Sequence, residues 1–149
     1  MARLGVTELG RDYPQRPILG VGAIVFRDAE VLLVKRGQAP SAGLWSIPGG
    51  AVKLGETVAA ALRREVLEEV GLKVRVGPLV AILDRVFRDQ EGRVQYHYVL
   101  LDYLCHPVSG QLKAGSDAAG AGFFRPSELR RLRLTRGTRA VIEQARHLA

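Results

Sequence analysis

The chain has 149 residues, 47% of them hydrophobic, with 22 Lys and Arg against 15 Asp and Glu for a formal net charge of +7. That length suits one domain with a sizeable core and gives no reason to expect a second, and the lone cysteine excludes an intrachain disulfide and fits a reducing compartment. The basic balance favours an anionic partner such as a nucleotide; with no stretch of membrane-spanning length and no apolar signal-peptide core near residue 1, a cytoplasmic location is the expectation.

Residues 1–17 are polar and punctuated by Pro14 and Pro17, and are expected to form a surface arm ahead of a domain over 18–149. Residues 18–26 read as a strand, 27–30 as a turn and 31–34 as a second strand, together a hairpin. A loop through Pro40, Ser41 and Gly43 then leads to Trp45, which is read as a core anchor ahead of a base-stacking platform. Pro48, Gly49, Gly50 and Gly55 make a tight loop whose backbone can approach an ion or a phosphate without Cβ interference.

The helix that follows is well marked. Thr57 can cap it, Leu62, Val66 and Val70 form a seam at spacing four, and Gly71 ends it. Glu65, Glu68 and Glu69, at i, i+3 and i+4, stand on one face, where like charges repel. A hard divalent cation such as Mg²⁺ or Mn²⁺ takes oxygen ligands of this kind and would remove that cost. Glu56 adds a fourth acid at the helix mouth. Arg64, beside Glu65 and four residues before Glu68, is placed to hold a carboxylate in position.

Beyond the helix, residues 72–84 are expected to hold a short strand, a break at Gly77-Pro78 and an apolar run. Residues 95–105 read as a long strand with Cys105 as an inert buried thiol, after a turn at 89–92. Residues 106–120 read as a glycine-rich loop with a short central strand, Phe123-Phe124 as a return to the core, and 135–148 as a terminal helix after a helical turn at Pro126. Lys35, Arg36 and Arg85 end or follow apolar strands near loops and are candidates for neutralising phosphate, with a solvated role as the alternative. Phe87 or Tyr96 is a candidate to cover a base, and His97 to touch phosphate or base, against a structural role on its strand. The basic run Arg130, Arg131, Arg133, Arg136 and Arg139 has no interleaved aromatics and reads as solvated surface, so a nucleic-acid partner is disfavoured.

From Gly50, five residues lead to Glu56 and seven more to Arg64-Glu65; then come Val66, one residue, Glu68-Glu69, one residue and Gly71-Leu72. This run resembles the signature of the Nudix hydrolases, GX5EX7REUXEEXGU with U aliphatic, and matches every fixed position. The resemblance implies an α/β fold, an α/β/α sandwich with a mixed β-sheet and the signature as a loop–helix–loop at its edge. It implies Mg²⁺ (or Mn²⁺) as cofactor, held by Glu65, Glu68 and Glu69 with a backbone carbonyl at Gly49 or Gly50, while Glu56 binds a further ion or orients the other acids. The general base is left open between Glu68 and Asp117; the glutamate usual in the segment around 117–124 is replaced by alanine or glycine.

Around the signature, Tyr13-Pro14, the run from Leu44 to Gly50, His97-Tyr98-Val99 and Gly110-Gln111-Leu112 resemble the small bacterial and archaeal ADP-ribose pyrophosphatases. The implied reaction is cleavage of a nucleoside diphosphate linked to another moiety, with ADP-ribose cut to AMP and ribose 5-phosphate first in order. The proline that marks many such enzymes after the signature is absent, Val86 and Phe87 occupying that neighbourhood. MutT-like cleavage of a nucleoside triphosphate to monophosphate and pyrophosphate is the first alternative, and a non-catalytic nucleotide sensor the second. The family often dimerises, so a homodimer is a further expectation.

Overall fold

The strand expected from residue 18 forms as β1 (Ile18–Arg27), and a turn at Asp28 carries the chain into β2 (Glu30–Arg36). The computed structural model describes residues 11–115 and 118–149; of the arm expected over 1–17, residues 1–10 lie outside the described residues. Next come the short strands β3 (Trp45–Ser46) and β4 (Gly49–Ala51), then helix α1 (Val58–Val70). Two long strands follow, β5 (Leu72–Arg88) and β6 (Val94–Gly110), then β7 (Ala118–Phe124), the single turn α2 (Pro126–Leu129) and helix α3 (Thr138–Arg146).

The sheet is mixed. β1 runs parallel to β6 from Ile18↔Tyr98 to Val25↔Cys105, while the other pairings are antiparallel. β1 and β2 stay paired only next to their turn, at Phe26↔Val31 and Arg27↔Glu30. Beyond it β2 pairs instead with β7 and β3, and the flank of β1 that β2 leaves is taken by β4, at Gly20↔Ala51, Val21↔Gly50 and Gly22↔Gly49. This splay brings the glycines of β4 onto the central strand.

Alternation along β1 and β2 splits the core between the two sheet faces. Val21, Ala23, Val25, Leu32 and Val34 pack with Ala61, Leu62, Val66 and Val70 of α1. Ile24, Val31 and Leu33 pack with Leu129 and with Val141, Ile142 and Ala145 of α3. Helices thus cover both faces, giving the α/β/α sandwich. The seam Leu62, Val66 and Val70 is fully buried, Thr57 Oγ1 accepts from the Ala60 N–H (3.1 Å), and Gly71 closes α1 in the left-handed region (φ 77°). Cys105 is buried, and burial pushes its thiol up to about 11. Trp45 meets Phe124 edge-on (5.0 Å) within the second core, as an anchor.

Two expectations fail in the same region. Gly77-Pro78 does not end a strand; β5 runs through it with shifts in register between Val76 and Ala81. β5 is the outer strand of the sheet, where a residue lacking an N–H can be accommodated at a bulge. Residues 106–110 likewise continue β6 and pair with residues 72–75, whereas a loop was expected there, and no strand forms within 111–115. Past Cys105, β6 has β5 as its partner but no longer β1, so Pro107 costs the central pairing nothing. Among the described residues no helix is long and apolar enough to cross a membrane.

Candidate active site

Helix α1 and strand β4 meet through glycine. A Cβ on Gly50 would stand 2.5 Å from both Glu65 carboxylate oxygens, so only a glycine lets that carboxylate rest on the strand. The Gly49 N–H donates to Glu69 Oε1 (2.9 Å). One signature glutamate is therefore held against β4 by the missing side chain of Gly50, and a second by the backbone N–H of Gly49.

Arg64 organises the acids. Its Nε and Nη2 form a fork on Glu56 (2.6 and 2.9 Å), its Nη1 donates to Glu65 (2.7 Å) and Glu68 (3.2 Å), and Nη2 also reaches the Ala51 carbonyl (3.0 Å). This fork, and then the Lys53 N–H, hold the Glu56 carboxyl down at about 2. Glu56 in turn raises the Arg64 guanidinium above its ordinary value. Glu68 is the most open of the acids in this network, its side chain 59% exposed.

Among the described residues no three His, Cys, Asp or Glu side chains already stand as a closed metal cluster. The donor set nevertheless fits a hard divalent ion. Glu65, Glu68, Glu69, Gly49 and Gly50 line one cleft and offer oxygen donors, and the carboxylate of Glu65 occupies a cradle that a Cβ at residue 50 would fill.

That cleft, about 290 Å³, crosses the sheet away from the glutamates. Its floor is one face of the sheet: Gly20 and Gly22 of β1, Tyr98, Leu100 and Asp102 of β6, and Leu83 and Arg85 of β5, which the register sets side by side. The segment before α3 forms another wall, tied to β3 through Trp45 N–H to the Arg133 carbonyl and Thr135 N–H to the Trp45 carbonyl. From it Thr135, Arg136 and Thr138 face the cleft. Burial, and then the neighbouring Arg136, lower the Arg85 guanidinium from its ordinary value.

Of the residues singled out by sequence for the substrate, Arg36, Arg85 and Phe87 line the cleft with the glutamates. Lys35, Tyr96 and His97 do not. Lys35 lies opposite Trp45, its Cβ toward Gly120 on the far side of β2 from Arg36; Tyr96 packs against Phe87 (6.0 Å) and Tyr98 (6.5 Å); His97 takes the other face of β6. Asp117 lies outside the described residues. Arg130, Arg131, Arg133 and Arg139 are exposed as expected, but the exposed Arg136 borders the cleft.

Sequence reading missed Arg11, Tyr98, Asp102 and Arg136. For Asp102 a signal existed: a carboxylate inside the apolar run from Val99 to Cys105. It is 4% exposed, and burial pushes its carboxyl up to about 6 against the pull of Arg85. A raised carboxyl favours the fold while protonated, so its contribution is present below 3.8 and lost as pH rises through about 6. Asp102→Asn is expected to stabilise the protein by ~2 kcal/mol at pH 8, the gain disappearing toward pH 4. Thermal melts of both proteins across that range check it.

A family model described as the NUDIX domain matches residues 16–145. An ADP-ribose pyrophosphatase of Methanocaldococcus jannaschii is 37% identical over 116 residues, 78% of this chain and 66% of that protein. A CTP pyrophosphohydrolase of Escherichia coli is 45% identical over 75 residues, 50% of this chain and 53% of that protein. The chain thus spans no more than about two thirds of either relative's length. Among solved structures, a MutT NUDIX hydrolase from Burkholderia pseudomallei superposes with a TM-score of 0.76 at 35% identity, covering 87% of this chain and 98% of that one.

Proposed function

Because the chain belongs to the Nudix family, we propose that it is a divalent-metal-dependent pyrophosphohydrolase that cleaves ADP-ribose to AMP and ribose 5-phosphate. The observation that carries the proposal is the cleft itself. Oxygen donors of α1 and β4 gather at one end, and four arginines, Arg11, Arg36, Arg85 and Arg136, with Phe87 and Tyr98 line its course. A diphosphate substituted on both sides suits a cleft open beyond the metal end in this way, and the archaeal relative's name supports ADP-ribose ahead of a triphosphate.

Glu65 and Glu69, with a backbone carbonyl of Gly49 or Gly50, would hold the ion. When bound, a divalent cation neutralises the diphosphate and activates water for attack at phosphorus. Glu68, accessible and only weakly tied to Arg64, is the base assigned to take the proton of the attacking water as the P–O–P bond breaks and one phosphate leaves. Arg36 and Arg85 would balance the remaining phosphate charge. Glu56, forked by Arg64 and bonded by the Lys53 N–H, acts through Arg64 and is a positioning residue.

The second reading, a nucleoside triphosphate pyrophosphohydrolase, is favoured by the E. coli relative's name and by the same donor set. Phosphate-release assays with Mg²⁺ over ADP-ribose, NADH, diadenosine polyphosphates and the nucleoside triphosphates separate the two. ADP-ribose is expected to give the highest kcat/KM, lost on adding EDTA. Preferred turnover of a triphosphate selects the second reading, and no turnover of any compound leaves a nucleotide sensor.

A further inference from the structure

Among the described residues four polar or charged side chains are buried, Ser46, Asp102, Thr135 and Thr138, and all four line the cleft. Three have partners within the protein. Thr135 Oγ1 and Thr138 Oγ1 bond each other (2.5 Å), and Ser46 Oγ donates to the Ile47 carbonyl (3.2 Å). The fourth, Asp102, has no side-chain hydrogen bond to any described group; its nearest counter-charge, Arg85, acts only at range. A carboxylate so buried normally accepts two or three hydrogen bonds, and leaving it without them is costly. Asp102 opens onto the cleft, so a ligand that displaces solvent there must supply the donors itself.

The space beside Asp102 is flat and apolar. A Cβ at Gly22 would collide with Asp102 Oδ1 and come within 2.8 Å of Ile47 Cδ1, and one at Gly20 would stand 2.7 Å from Leu100 Cδ2. With Leu83 beside Leu100 in the register, the two glycines open a slot between aliphatic walls, with Asp102 on its floor. Gly49, Gly22 and Asp102 are paired in one row across β4, β1 and β6. The Asp102 backbone therefore lies two strand spacings from the glycine that bonds Glu69, and its carboxylate leans back over Gly22 between them. A slot between the aliphatic side chains of Ile47, Leu83 and Leu100 suits the apolar faces of a planar base, which a hydroxyl-rich ribose lacks.

We propose that Asp102 is a specificity-determining residue that accepts a hydrogen bond from the exocyclic amino group of the substrate's base, so that amino-bearing bases are selected over their oxo counterparts. The inference rests on the proposed function, since it places a nucleotide in this cleft. An oxo base presents a lone pair to the buried carboxylate where an amino base presents an N–H, and loses a hydrogen bond to a charged group, a difference of about 10–100-fold in binding.

Titration calorimetry of the full chain with AMP against IMP, and CMP against UMP, without added metal, tests the base alone. AMP and CMP are expected to bind about 10–100-fold more tightly than their oxo partners, and in Asp102→Asn, whose fold a thermal melt verifies, the gap is expected to close. Equal affinity for amino and oxo partners, a gap that Asp102→Asn leaves unchanged, or no binding of any of the four at millimolar concentration overturns the inference. Because the readout is binding, an Asp102-dependent gap in a protein that hydrolyses nothing would retain this inference and reject the enzyme. Equal affinities in a protein that cleaves ADP-ribose would do the reverse.

Discussion

Glu69→Gln is expected to lower the turnover number for ADP-ribose by on the order of 10³-fold, from the several kcal/mol of charge stabilisation a metal ion supplies. Its fold should be retained. Glutamine keeps the length and shape of the side chain, and its amide oxygen can still accept the Gly49 N–H that now bonds Glu69 Oε1 at 2.9 Å. What is lost is one negative charge from the face shared with Glu65 and Glu68, and with it the anionic ligand proposed for a hard cation. Steady-state kinetics at saturating Mg²⁺, with calorimetric titration of Mn²⁺ into both proteins, separates a weaker metal site from a slower chemical step. A variant with an intact circular dichroism spectrum and the parental rate would remove Glu69 from the metal site.

The acids and the glycines were legible because the features that identify them are local. Spacing of three and four along a helix sets Glu65, Glu68 and Glu69 on one face whatever the tertiary context, and Thr57 and Gly71 mark the ends of α1 by cap chemistry alone. The far half of the cleft depends instead on strand register, which no local pattern specifies. Lys35 and Arg36 are adjacent and chemically alike, yet alternation sends them to opposite faces of β2, and only pairing with β3 and β7 decides which one reaches the cleft. Tyr98 and Asp102 join the site, and His97 does not, because the register from Ile18↔Tyr98 to Gly22↔Asp102 sets Tyr98, Leu100 and Asp102 on the floor. Arg136 is positioned by a backbone tie between Trp45 and the residues on either side of Leu134, nearly ninety residues apart along the chain. The misread break at Gly77-Pro78 has the same origin: whether a proline ends a strand depends on whether that strand is an edge.

Arg64→Ala is expected to lower kcat/KM by about 10–100-fold, the usual cost of removing a group that orients metal ligands, and to lower the melting temperature by on the order of 5 °C. One guanidinium donates through three nitrogens to Glu56, Glu65, Glu68 and the Ala51 carbonyl. Its loss leaves the partly buried acids repelling one another across the mouth of α1. Arg64→Lys should recover little of either quantity, because an ammonium cannot make the fork on Glu56 while reaching Glu65. The pH dependence identifies the cause. Glu56 is depressed from 4.5 to about 2 in the folded protein, so the stability it shares with Arg64 is present above 4.5 and lost as pH falls through about 2. The difference in melting temperature between parent and Arg64→Ala should therefore be full at pH 7 and shrink as the pH is taken below 4.5. A difference that stays constant down to pH 3, or full rescue by lysine, would mean that Arg64 contributes charge alone and does not set the geometry of the acids.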